Sequence, residues 1–97
     1  MGRIRQMIRV EERQFWTLFD AGARNTYVVP AVAELLSTSK APHPIRIALG
    51  GQVKEADTTA LLQAEIEGRQ ISTHAMVVDQ IGKDDEGKPI EILFGAL

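Results

Sequence analysis

Residues 15–29 read FWTLFDAGARNTYVV, and they place an aspartate between two apolar runs. Both runs are rich in aromatic and β-branched residues, which is typical of β-strands, and Gly22 indicates a tight loop between them. A carboxylate at the end of a buried strand is costly unless another group satisfies it. Asp20 is therefore the first candidate for chemistry in this sequence.

A polar turn joins this stretch to an N-terminal strand. Residues 3–10 alternate in polarity, and this period of two is typical of a strand with one solvated face. Arginines point to one side, whereas the other side is apolar except for Gln6 and carries Ile4, Ile8 and Val10. Residues 11–14 are polar and predict the turn. The two strands are therefore expected to form a hairpin that ends at Asp20.

One short helix is expected after the second apolar run. Pro30 predicts its start, because proline is favoured in the first helical turn. Residues 31–36 supply helix-forming side chains, which predict a helix of about two turns. Residues 40–44 contain two prolines and therefore predict a loop.

Strands joined by glycine turns account for the remainder of the chain. Gly50-Gly51 is a strong hairpin signal between strands predicted at residues 44–49 and 52–56. A turn at Gly68 and a charged loop at residues 82–89 separate the last strands, which are predicted at 58–66, 70–78 and 90–94. Strands at this spacing, with one short helix, indicate an all-β fold that is a closed or partly closed barrel.

Composition limits the function classes that need to be considered. The chain has 97 residues, 44% of them hydrophobic and 25% charged, which is ordinary for one soluble globular domain. Its net charge of −2 gives no field that would favour nucleic acid as a partner. It has no cysteine, so disulfides and thiolate chemistry are excluded. No apolar run is long enough to span a membrane, and a cytoplasmic location is the prediction.

The Asp20 stretch resembles the active-site segment of the retroviral-type, or retropepsin-like, aspartic proteases. That family carries Asp-Thr/Ser-Gly-Ala after an apolar strand, followed by a polar pair and a second strand. The matching positions here are Asp20, Gly22, Ala23, Asn25 and Thr26. Gly50-Gly51 falls where the family has its flap, and the terminal ILFGAL is similar to the family's last strand, which ends in aliphatic residues, Gly, a variable residue and Leu.

The resemblance implies a closed-barrel monomer with a flap hairpin, with residues 1–97 forming a single protease domain. It also implies an aspartic endopeptidase that cuts peptide or protein substrates as a homodimer, with Asp20 as the catalytic residue of each chain. The sequence contains one Asp-x-Gly loop, so a second copy must supply the other carboxylate. No cofactor or metal is implied. Substrate contacts are expected from Gly22, Ala23, Arg24, Leu49, Gly50 and Gly51.

Three features depart from the family pattern. Ala21 stands where the family has a hydroxyl residue that resembles a brace to the partner subunit, and its loss costs about 1 kcal/mol per subunit if the site is buried. Arg24 stands where retroviral enzymes often have an acid near the substrate backbone. The sequence ends at Leu97, whereas family members continue into a helix, which implies either a shortened chain or a dimer built differently.

Plainer interpretations stay open beside these. Asp20 could be a turn residue that bonds its own backbone, and Gly50-Gly51 could be an ordinary hairpin turn. His43 and His74 have no second ligand at metal spacing, so no metal site is predicted. The alternative function is a non-catalytic retropepsin-like module for interaction or dimerisation, which Ala21 favours. An unrelated small β-barrel that binds a ligand or a protein is a third alternative.

Overall fold

The computed structural model describes residues 3–49 and 51–95 of the chain. This part forms one short helix, α1 (Pro30–Ala33), and strands β1 (Arg3–Val10), β2 (Arg13–Asp20), β3 (Tyr27–Val28), β4 (Ser37–Leu49), β5 (Gln52–Ile66), β6 (Arg69–Val77) and β7 (Ile92–Phe94). The strand order is β1-β2-β7-β3-β6-β5-β4, and β1 also pairs with β5. The predicted all-β fold with one short helix is confirmed. The pairing of β1 with β5 closes six strands into a ring, and β4 pairs with β5 outside that ring.

The position of β7 organises the candidate site. This strand runs parallel to β2, with Leu18 opposite Leu93, and antiparallel to β3, with Tyr27 opposite Leu93. It therefore lies between two strands that follow each other in sequence. The connection between β2 and β3, residues 21–26, has to cross the end of β7. That connection is the loop that follows Asp20.

The apolar residues divide into two clusters. The larger one is centred on fully buried side chains such as Phe15, Leu62 and Ile92, and it fills the ring of strands. The smaller one consists of buried Tyr27, Ile47, Ala56, Val78 and Leu93, with half-buried neighbours from the Asp20 loop and β4. This second cluster lies beneath the hairpin formed by β4 and β5, and it supports that hairpin over the Asp20 loop.

The first hairpin is present, but its turn is shorter than predicted and its open end is exposed. The turn consists of Glu11 and Glu12 rather than residues 11–14, because Arg13 and Gln14 already pair with Val10 and Arg9. Glu11 adopts the left-handed conformation at φ 58°. Ile8 and Val10 are buried as expected, but the side chain of Ile4 is 60% exposed. The physical reason is that β5 pairs with β1 only near the turn, so nothing in the described chain covers the other end of β1.

The helix and the proline-containing loop were predicted wrongly. The helix has a single turn rather than two, because Ser37 already pairs with Leu61 of β5 and the chain must turn before that residue. Residues 40–44 belong to β4, where the register shifts between Lys40 and Ile45. Proline is tolerated at such an irregularity on an edge strand, since no partner there needs its missing N–H.

The hairpin predicted at Gly50-Gly51 is present, with Leu49 opposite Gln52. Gly51 has a φ of 79°, which suits glycine, whereas Gly50 lies outside the described residues. The two strands predicted at 52–56 and 58–66 are one continuous strand, β5. Within the described part of the chain, no helix has the length and apolar character needed to cross a membrane.

Candidate active site

Asp20 is the last residue of β2, and its side chain is half-buried. Its Oδ1 accepts a hydrogen bond from the Gly22 N–H at 2.9 Å, and its carbonyl oxygen accepts one from the Ala23 N–H at 3.0 Å. A bond from the carboxylate to the backbone two residues later is also what a simple turn aspartate makes. The surroundings of Asp20 therefore decide between the turn and the catalytic interpretations.

The far end of the loop is fixed in the core by Thr26, which is 5% exposed. Its Oγ1 accepts a hydrogen bond from the Gly95 N–H at 3.1 Å, and its carbonyl oxygen accepts one from the Met76 N–H at 2.9 Å. The loop is thus held at one end by β2 and at the other by β6 and the residue after β7. Such support on both sides fixes the position of the carboxylate.

Gly95 is in close contact with the backbone of the loop. A Cβ at this residue would lie 2.3 Å from the carbonyl oxygen of Asn25 and 2.9 Å from that of Ala23. Only glycine fits here. Its lack of a side chain allows the Asp20 loop to pack closely against the end of β7. The sequence indicated Gly95 only as part of a terminal motif, because its neighbours are distant in the chain.

A cleft of about 720 Å³ opens beside the loop. Its walls come from the Asp20 loop, the C-terminal half of β4 (residues 45–49) and the segment around residues 81–83. Of the residues predicted to contact substrate or act in catalysis, the cleft brings together Asp20, Gly22, Ala23, Arg24 and Leu49. Gly51 is exposed at the hairpin tip and does not line the cleft, and Gly50 lies outside the described residues.

The floor of the cleft is apolar and belongs to the second cluster. Leu18, Tyr27, Ile47 and Leu93 are shared between the two. Sequence analysis missed this floor as a binding surface, although the alternation of Ile45, Ile47 and Leu49 along one strand indicated a common face. The floor suits apolar side chains of a ligand, while the loop provides polar backbone groups beside them.

The charges that line the cleft are uneven. Among the described lining residues Asp20 is the only carboxylate, whereas three side chains are cationic: Arg24, Arg46 and Lys83. Only Arg24 was singled out by the sequence. Arg46 and Lys83 are remote from the aspartate in sequence and reach the cleft through β4 and the loop after β6.

The charged loop at residues 82–89 is ordered around Asp84, whose side chain is 2% exposed. Its Oδ2 accepts a hydrogen bond from Trp16 Nε1 at 2.9 Å. Its Oδ1 accepts bonds from the N–H groups of Lys88 at 2.8 Å and Glu86 at 2.9 Å. These bonds attach the loop to the outer side of β2, and they keep Lys83 at the wall of the cleft.

The same bonds lower the pKa of Asp84 below its ordinary value of 3.8, with the Lys88 N–H as the largest cause, against an opposing effect of burial. A lowered pKa in the folded state stabilises the fold above pH 3.8, and this contribution disappears as the pH falls through the folded-state pKa. We therefore expect Asp84→Asn to be less stable than the wild type near neutral pH. The difference in unfolding free energy should shrink as the pH falls below 3.8. Urea unfolding between about pH 3 and pH 7 measures it.

Asp85→Asn is the matched control, because Asp85 is 77% exposed and its ion pair among the described residues is with Arg5 at the surface. Its effect should be small, since exposed ion pairs contribute little. A difference between wild type and Asp84→Asn that stays constant over the whole pH range would contradict the assigned role of this carboxylate.

The fold is similar to a solved structure, that of EIAV protease complexed with the inhibitor HBY-793. The match has a TM-score of 0.58 and covers 96% of this chain and 81% of that chain, at 18% sequence identity. Searches with protein-family models and among curated proteins found no match to the sequence. The chain therefore shares the fold of a retroviral protease, and its chemistry has to be argued from its own residues.

Proposed function

We propose that this chain is an aspartic endopeptidase that acts as a homodimer, with Asp20 of each protomer forming the catalytic pair. The observation that carries the proposal is the position of Asp20 on a loop fixed at both ends, at the wall of a cleft with an apolar floor. The similarity of the fold to EIAV protease supports it. An isolated turn aspartate would need neither the anchored loop nor the cleft.

The chemistry requires two carboxylates close together. Two adjacent like charges cannot both ionise, so one carboxyl group keeps a proton while the other is a carboxylate. The carboxylate removes a proton from a water molecule that attacks the peptide carbonyl carbon, and the carboxyl group donates a hydrogen bond to the carbonyl oxygen. Among the described lining residues of one chain, Asp20 is the only carboxylate, so the second must come from another copy.

An exposed apolar side chain beside Asp20 supports dimerisation at this point. Ile4 on β1 is 60% exposed. Ile4 lies opposite Phe19, the residue directly before Asp20. Contact between two copies here would bury Ile4 and bring the two loops together. Such contacts would also compensate for Ala21, which has no hydroxyl group to act as a brace.

The proposed substrate is an extended peptide that lies between the apolar floor and the β4–β5 hairpin. Gly22 and Ala23 shape the loop and present backbone groups to the peptide, and Leu49 closes the cleft from above. The tip at Gly50 and Gly51 is proposed to cover the substrate and exclude water when it closes. Pairing of a peptide backbone with the hairpin is the binding mode that an extended ligand uses.

Cleavage of an unstructured protein at mildly acidic pH tests the proposal, with a statine-type inhibitor as the control. We expect cleavage that the inhibitor blocks, and activity per chain that rises with protein concentration as dimers form. Sedimentation over the same concentrations should show the dimer. A strict monomer would contradict the proposed mechanism. A dimer that cleaves nothing would instead favour the alternative, a non-catalytic interaction module, which is consistent with Ala21.

A further inference from the structure

We propose that the cleft selects peptides that carry acidic side chains close to the bond that is cut. This inference rests on the proposed peptidase function and names its substrate class. Its basis is the set of three cations that line the cleft, Arg24, Arg46 and Lys83, which we call the cationic wall. They come from three separate elements: the Asp20 loop, β4 and the loop after β6.

The cationic wall is opposite in sign to the chain as a whole. The chain has a net charge of −2, so an average patch of its surface would be slightly acidic. One protomer's cleft instead has three cations against one carboxylate among its described lining residues. A catalytic pair that shares a proton would add even less negative charge per protomer. The local potential of the cleft therefore favours an anionic ligand.

Acidic residues adjacent to the wall are engaged elsewhere. Asp84, directly after Lys83, accepts bonds from Trp16 and from the backbone of its own loop. Asp79 pairs with Lys54 at 3.1 Å. The ion pairs found among the described residues include none of the three wall cations.

Two features of β4 rank the three cations. Arg46 alternates with Ile45 and Ile47, which face the floor, so its side chain points to the other face of the strand. Glu55 lies opposite Arg46 in the β4–β5 register, and side chains at such positions are close neighbours. Glu55 therefore reduces the field of Arg46 without forming an ion pair with it.

Lys83 lines a second pocket with Asp84 and Asp85 of its own loop, but the Asp84 side chain is buried and Asp85 pairs with Arg5. Arg24 and Lys83 are therefore expected to contribute most of the preference.

The size of the preference follows from exposure. All three cations are exposed side chains, and exposed ion pairs change an equilibrium by about 1.5- to 5-fold each. We therefore expect binding to tighten by about that factor for each acidic residue that reaches the wall. The effect should be strong at about 0.01 M salt and nearly absent at about 1 M, where charges are screened within about 3 Å.

The test measures binding separately from cleavage. Asp20→Asn protein is titrated with labelled peptides of equal length that share an apolar centre and carry Glu, Gln or Lys on either side of it. Fluorescence anisotropy at low and high salt is expected to show affinity in the order Glu, Gln, Lys, with the order lost at high salt. Arg24→Gln and Lys83→Gln, each added to this protein, should lower the Glu-to-Gln affinity ratio.

Arg69→Gln is the matched control, because Arg69 is an exposed cation at the β5–β6 turn and does not line the cleft. Equal affinity for the Glu and Gln peptides, no binding of any peptide, or an equal effect of Arg69→Gln would overturn the inference. Cleavage assays with wild-type protein separate the two proposals. Acidic preference without cleavage would reject the peptidase alone, and cleavage without preference would reject only the charge selection.

Discussion

Asp20→Asn is expected to reduce peptide cleavage by about 10²- to 10⁴-fold, which is the usual contribution of acid–base catalysis. An amide can neither take a proton from water nor share one with a second carboxyl group at this site. The loop should keep its shape, because the Asn side chain retains an oxygen that can accept the Gly22 N–H bond seen for Oδ1. Initial rates on an unstructured protein, with circular dichroism as the check on folding, measure the effect.

Subunit mixing makes this prediction specific for a site shared between two chains. When an equal amount of Asp20→Asn is added to a fixed amount of wild type, random pairing leaves about a quarter of the dimers with two aspartates. Because the number of dimers doubles, activity should fall to about half that of the wild type alone. Independent catalytic sites would leave activity unchanged, which would contradict the proposed mechanism. Addition of an unrelated inert protein is the control.

Gly95→Ala is expected to have the largest effect on stability. The new Cβ would lie 2.3 Å from the Asn25 carbonyl oxygen, and this neighbour is backbone that cannot rotate away. Overpacking of this kind costs about 3 kcal/mol, which corresponds to a melting temperature lowered by about 12–24 °C in a domain of this size. The Asp20 loop would also have to move away from the end of β7. Because this displaces the carboxylate, the rate of cleavage should fall as well. Thermal unfolding followed by circular dichroism measures the change.

Gly68→Ala is the matched control for this variant. Gly68 has a φ of 82°, and a Cβ placed there would meet nothing within 4 Å. Its cost is therefore the strain of a left-handed alanine alone, about 1–2 kcal/mol. If Gly95→Ala proved no less stable than Gly68→Ala, the contact between Gly95 and the Asp20 loop would not support the loop as described.

The candidate aspartate was predictable because its signal is local. An acid that follows a buried strand and precedes a glycine is visible in a few residues, as are the turn at Gly51 and the face shared by Ile47 and Leu49. Pro42 and Pro44 misled the prediction because their tolerance depends on β4 being an edge strand. That position is a property of the whole sheet and cannot be read from five residues.

The remaining parts of the site depend on contacts between distant residues. The contact that makes glycine necessary at position 95 is with residues 23 and 25, and the bond from Gly95 to Thr26 spans 69 positions. Arg46 and Lys83 reach the cleft only because β4 and the loop after β6 fold over it. No local pattern indicates that these cations and the aspartate share one cavity.

The insertion of β7 between β2 and β3 has a consequence for biosynthesis. A ribosome synthesises residues 15–29 before residues 92–95, and the loop receives its support only after the later residues have emerged and paired. Long-range pairing of this kind is slow compared with local structure formation. A nascent chain therefore carries its aspartate on an unsupported segment until residues 92–95 have paired. Any hydrolysis that depends on the position of Asp20 would begin only after that step.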